Sequence, residues 1–156
     1  MELPVIRECV LHWARRYANR HPPDFVIGDR QLERWWLIPR NKLFNVYLHR
    51  FNKSDEDRAL HDHPWVSLGW ILNRGYTEVL RDGKRWRSIG SWTWRLPTTA
   101  HRVELCGAPG QSVYTIFVTG PVMRQWGFHC PQGWRHWKEF VSVVPGGNKI
   151  GRGCDP

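Results

Sequence analysis

Between residues 25 and 144 the chain is cut into short apolar or alternating runs by Gly, Pro, Asn and Asp. This punctuation limits the fold more than any other feature. The runs at residues 25–27, 32–38, 42–51, 66–72, 76–81, 85–89, 92–96, 101–105, 112–119, 122–128 and 140–144 read as strands. The breaks between them, at Gly28-Asp29, Asn73-Arg74-Gly75, Asp82-Gly83 and Gly107 to Gly110, carry the residues that tight turns demand. Such a series predicts an all-β chain whose antiparallel sheet is closed or sandwiched.

A single stretch has helical periodicity. In residues 4–19, Val5, Cys9 and Trp13 recur at four-residue steps, and Ile6, Val10 and Tyr17 widen that face. Arg7, Glu8, Arg15 and Arg16 fill much of the remainder, and Asn19 with His21-Pro22-Pro23 ends the pattern. This helix is expected to cover one side or end of the sheet, or to form a homodimer contact. With 156 residues the chain supports one full core, so residues 1–156 are read as a single domain. Residues 1–24 are the helix and its connection, 25–144 the barrel, 120–139 an aromatic lid or plug within it, and 145–156 a flexible glycine-rich tail.

The formal charge of +9 favours anionic partners over long range. No RNP pair, GxxG clamp, zinc-finger spacing or long basic run accompanies it, so nucleic acid is only weakly supported as a partner. The densest basic group, Arg81, Lys84, Arg85 and Arg87, fits a solvated hairpin tip. No apolar run reaches transmembrane length and no secretory hydrophobic region is present, so membrane association is not expected. Cys9, Cys106, Cys130 and Cys154 are widely spaced without a CxxC pair, which favours a cytoplasmic chain with mostly reduced thiols and leaves a disulfide framework undemanded. Eleven tryptophans suit a broad β core, a stacking surface or an interface, and composition does not choose among these.

Chemistry concentrates in His61-Asp62-His63-Pro64-Trp65. On an extended chain residues i and i+2 share a face, so His61 and His63 point together and Asp62 points away. A stable transition-metal site needs at least a third ligand, and His101, opening the run 101–105, is the best candidate. Ser54 followed by Asp55, Glu56 and Asp57 suggests a capped helical turn leading into the histidines. His49 is a candidate cavity residue, with a structural or supporting role favoured because no ligand partner lies near it in the sequence. His129, Cys130 and His136 carry metal-competent atoms, but adjacent residues of an extended chain point apart, so Trp126, Phe128, Trp134 and Trp137 read better as the lid.

The strand series together with HDHPW, the downstream Gly75 and the second motif GSWTWRLPTTAHRV resembles the cupin family over about residues 42–118. The resemblance implies a double-stranded β-helix, or jelly roll, here with an N-terminal helix, whose two motifs supply inward ligands from different strands. Carried onto this sequence, those ligands are His61, His63 and His101. Many cupins add a glutamate four or five residues after the second histidine, where this chain has Ser67 and Leu68. Glu78 lies beyond Gly75 and does not match that position, although it can approach the cavity from a neighbouring strand.

The expected cofactor is therefore one divalent transition metal, zinc, iron, nickel, copper or manganese, in a three-histidine site. Trp65, Ser67, Tyr76, Glu78 and Val103 are the pocket candidates, with Arg95 and Glu104 as weaker polar contacts; no catalytic base is assigned. The expected function is metal-dependent chemistry of the oxygenase or isomerase kind on a small molecule, an anionic one being favoured by the charge. The alternative is a noncatalytic cupin that senses a ligand or binds nucleic acid or protein.

Overall fold

The computed structural model describes residues 3–55, 59–108 and 110–155. The chain opens with helix α1 (Leu3–Arg20), followed by β1 (Phe25–Ile27), β2 (Leu32–Trp36), β3 (Asn45–Phe51), β4 (Leu60–His61), β5 (Ser67–Ile71) and β6 (Gly75–Leu80). Next come β7 (Gly83–Ser88), β8 (Trp92–Arg95), β9 (His101–Glu104), β10 (Val113–Thr119), β11 (Gly127–Cys130) and β12 (Gly133–His136). A one-turn helix α2 (Trp137–Phe140) leads to β13 (Val141–Val144) and β14 (Gly147–Ile150).

These strands form two sheets. One has the order β13-β14-β1-β2-β3-β10-β5-β8 and the other β12-β11-β4-β9-β6-β7. Their inner faces meet where Ile71, Tyr76, Val103 and Val113 bury one another, with Phe51 and Leu105 packed alongside. The architecture is the cupin-like double-stranded β-helix with an N-terminal helix that the resemblance implied.

Alternation assigns each residue its side. Along β10, Val113, Thr115 and Phe117 turn inward, whereas Tyr114 and Ile116 join the outer layer. That layer is completed by α1, whose Leu11, Ala14 and Ala18 bury against Trp35, Leu48, Leu72 and Tyr114. The face differs from the expected one, since Val5, Cys9 and Trp13 stay exposed. Val10 and Tyr17 of the expected face do pack against this cluster, but its buried helix positions are Leu11 and the two alanines. Arg7 Nη1 donates to the Leu72 carbonyl at 2.7 Å and Trp35 Nε1 to the His21 carbonyl at 2.9 Å, so the helix is also fixed by hydrogen bonds.

Several boundaries move. The β6–β7 hairpin pairs Leu80 with Gly83, so Arg81 and Asp82 form its two-residue loop and Gly83, at φ +134°, follows it. Residues 122–126 lie outside any strand, and the run 140–144 begins inside α2. The proposed turn after Ser54 falls partly on residues 56–58, outside the described residues. Ser54 Oγ accepts from the Leu105 N–H and Asp55 Oδ2 from the Val103 N–H, so this pair braces β9.

The largest correction concerns the tail. Instead of hanging free, residues 147–150 form β14, antiparallel to β13 and parallel to β1 through Val26 opposite Gly147. Cys154 is bonded to Cys130 of β11, and Arg135 Nη1 donates to the carbonyls of Gly153 and Asp155, both at 2.6 Å. The thiol reading is corrected with it, leaving Cys9 and Cys106 as the free cysteines. Glycine content suggested disorder, but a strand edge at β1 was waiting for a partner.

Leu48 is fully buried between α1 and the barrel strands. Leu48→Ala is expected to lower the unfolding free energy by about 2–5 kcal/mol, as measured by urea denaturation.

Candidate metal centre

The first two histidines of the site are placed by backbone pairing. β4 lies between β11 and β9, and His61 sits directly opposite His101 in the antiparallel register. Cross-strand partners have neighbouring side chains on the same face, so the two imidazoles meet, with ring centroids 4.8 Å apart. The chain stays extended beyond β4, with the Asp62 N–H bonded to the Gly127 carbonyl and the His63 N–H to the Pro97 carbonyl. His63 thereby joins the cluster, its ring 5.0 Å from that of His61 and 5.2 Å from that of His101.

One ligand-competent nitrogen from each of the three rings lies within 4.8 Å of the others. The arrangement is suited to a single divalent ion, as the sequence implied, and leaves the ion's identity open. Burial drives all three rings toward the neutral form that metals require. It lowers the His61 value, takes His63 well below the ordinary 6.5, and, with the Arg95 charge, brings His101 to about 3. His63 Nε2 and His101 Nε2 are 2.9 Å apart. The carboxylate facing His101 Nδ1 favours the proton on that nitrogen, so His63 Nε2 donates and His101 Nε2 accepts.

That carboxylate belongs to Glu78. Its Oε1 lies 3.1 Å from His101 Nδ1, an angled contact that leaves the nitrogen without a well-directed hydrogen bond. Glu78 thus stands behind the ring, where a carboxylate orients a ligating histidine. It also accepts from Arg95 Nε at 2.5 Å and from Arg87 Nε at 2.7 Å. Burial alone would raise the Glu78 value, but the contact with His101 and the Arg95 charge outweigh it and hold the group well below the carboxylate range. Arg95 extends the network to Tyr76 Oη at 3.0 Å and Thr93 Oγ1 at 3.1 Å.

Asp62 faces away from the cluster, as its parity requires, yet it is buried. Oδ1 accepts from the Gly127 N–H at 2.9 Å, while Oδ2 takes His129 Nε2 at 3.0 Å and Trp134 Nε1 at 3.1 Å, with Arg124 Nη1 at 3.1 Å. It fastens the histidine motif to the β11–β12 hairpin. His129 is completed by Arg81 at Nδ1, and His136 Nε2 meets Gln125 Oε1, so neither imidazole is directed at the three-histidine cluster.

The cluster opens onto a cavity of about 410 Å³. Trp65, Tyr76 and Val103 are on its wall; Ser67 and Glu78 are buried just outside the lining, with Ser67 Oγ unbonded. Trp126 and Phe128 cover the histidine end, stacked respectively on Trp137 at 5.7 Å and Phe140 at 3.6 Å between ring centroids. Of the weaker candidates, Arg95 is on the wall, while Glu104 pairs with Lys84 at 2.8 Å. The basic hairpin is engaged throughout, Arg81 with His129, Arg85 with Asp82 and Arg87 with Glu78.

The sequence did not point to Arg34, and for His49 it favoured a structural or supporting role over a place in the cavity; both line the cavity. Arg34 Nε donates to His49 Nε2 at 2.8 Å, and its guanidinium lies 4.8 Å from the Tyr47 ring centroid. The available signal was parity, since Arg34 alternates with Trp35 on a strand whose next neighbour, β3, turns Tyr47 and His49 inward.

No model of a known protein family matches the sequence, and no curated protein matches it. Solved structures share the fold. The DMSP lyase DddQ from Ruegeria pomeroyi is 12% identical with a TM-score of 0.52, covering 67% of this chain and 54% of its own, so this chain spans about half of that protein. An uncharacterised conserved protein with a double-stranded beta-helix domain from Klebsiella pneumoniae is 12% identical with a TM-score of 0.52, covering 65% of this chain and 86% of its own.

Two outcomes follow for the metal-free protein. His101 has a folded value near 3 against an ordinary 6.5, so the unfolded chain takes up the proton first as pH falls. Stability from this group is complete above 6.5 and is lost toward 3, and that from Glu78, also depressed, is lost below its ordinary 4.5. The melting temperature is therefore expected to fall steadily from pH 7 to pH 4 in scanning calorimetry. Glu78→Gln leaves the buried Arg95 charge uncompensated and is expected to cost about 3–5 kcal/mol in urea unfolding at pH 7.

Proposed function

We propose that this chain is a metal-dependent cupin acting on a small molecule, an anionic one being favoured by the net charge of +9. The observation that carries the reading is the convergence of three neutral imidazoles on a cavity of about 410 Å³. His61, His63 and His101 would hold one divalent transition metal, zinc, iron, nickel, copper or manganese. A metal with an open position supplies Lewis acidity toward a carbonyl, an activated water, or an oxygen site if it is redox-active. The chain's own residues do the rest. Glu78 and Arg95 orient His101, Asp62 fixes the segment between the other two histidines, and Trp126 with Phe128 packs beside the histidine end. Trp65, Tyr76 and Val103 shape the wall against which a substrate would lie.

Binding without turnover is the second reading, and one observation favours it. Trp92 and Trp94 project from edge strand β8 and Leu96 follows it, with more than half of each residue's surface exposed, at 57%, 65% and 53%. An aromatic face on a sheet edge is the kind of surface that engages a partner protein.

Elemental mass spectrometry of untagged protein purified without added metal tests the first reading, with a folded His61→Ala/His63→Ala variant as control. About one equivalent of a transition metal, lost in the variant, is the expected result for a three-ligand site. A wild type that carries no metal and takes up none of the five ions overturns it.

A further inference from the structure

The charge inside the cavity is unevenly compensated. Arg95 has Glu78 as its counterion, at 2.5 Å. Arg34 is also on the cavity wall, half-buried, but no carboxylate pairs with it among the described residues. Its contacts are neutral: the imidazole of His49 at Nε and the face of Tyr47. Burial lowers its value to about 10, which still leaves it charged at neutral pH. A guanidinium held in an aromatic cavity without a counterion is costly unless an anion completes it.

Its orientation narrows what that anion is. Arg Nε always donates, so His49 Nε2 must accept, and the neutral imidazole carries its proton on Nδ1. The bond at Nε turns one edge of the guanidinium toward His49 and leaves the edge formed by Nη1 and Nη2 free of protein acceptors among the described residues. Two parallel donors in one plane match the two oxygens of a carboxylate. Arg40 and Lys149 are on the same wall, and the Arg40 charge acts on Arg34, so an anion there meets more than one cation. Phe117 then links the two ends of the cavity, its ring 4.9 Å from His49 and 6.5 Å from His63 between centroids.

We propose that Arg34 anchors the carboxylate of a small organic acid, whose remaining part lies along Phe117 toward His63 and the other two histidines. This deepens the metal-dependent reading above and rests on it for the reacting end of the molecule; the anchor itself needs no metal.

The test uses isothermal titration calorimetry with acetate, benzoate and phenylacetate, and with the neutral analogue benzamide. Each is titrated into zinc-loaded wild type, wild type stripped with 1,10-phenanthroline and dialysed, and Arg34→Gln checked for folding by circular dichroism. At least one carboxylate is expected to bind both wild-type preparations, with affinity reduced about tenfold or more in Arg34→Gln, and benzamide is expected not to compete. If Arg34→Gln does not fold, Arg34→Lys keeps the charge but not the paired donors, and the same direction of loss is expected. Binding that requires zinc and is unchanged in the Arg34 variants overturns the anchor while sparing the metal site. Absence of binding by all three acids to both wild-type preparations also overturns it. Arg34-dependent binding by a protein that takes up no metal upholds the anchor and rejects the metal-dependent reading instead.

Discussion

The buried carboxylate of Glu78 is the point on which the two sheets depend. It sits on β6 and reaches Arg87 on β7, His101 on β9 and, across the gap between sheets, Arg95 on β8. Through Arg95 it also restrains Tyr76 and Thr93. A charge this deep is tolerated only because its partners meet it from several strands at once. The same requirement makes the arrangement specific, since any slip of β8 or β9 by one residue would turn a partner to the opposite face. Structural order and the aim of one metal-competent ring are therefore maintained by one set of contacts.

Much of this was legible in the sequence because it depends on period two. The parity of His61 and His63 and the shared face of His101 and Val103 follow from alternation along extended chain. Short runs between turn residues were enough for the class of fold. Where side chains cooperate across strands, alternation is insufficient. Arg34 and His49 are fifteen positions apart in the chain yet hydrogen-bonded, because β2 and β3 bring Arg34 opposite His49 in register. The bond between Cys130 and Cys154 is hidden for the same reason, as is the engagement of Asp62 by His129 and Trp134.

Helix α1 shows a different limit. Amphipathic counting gave weight to Trp13 and Val5, but the buried helix positions are Leu11, Ala14 and Ala18. Residue volume and the distance between helix and sheet are set jointly, and the second is invisible until the sheet exists.

The parallel pairing of β1 with β14 joins segments about 120 residues apart, as the bond from Gly28 to Asn148 shows. Ile27 and Gly28 on one side, and Asn148, Lys149 and Ile150 on the other, all belong to the cavity wall. Contacts so distant along the chain form late, after closure of the long loop between them. Until then β1 presents an open edge to solvent and to other chains. Closure of the cavity is thus a product of the final stage of folding, and a chain arrested before that stage would hold its histidine motif in a vessel with one side missing.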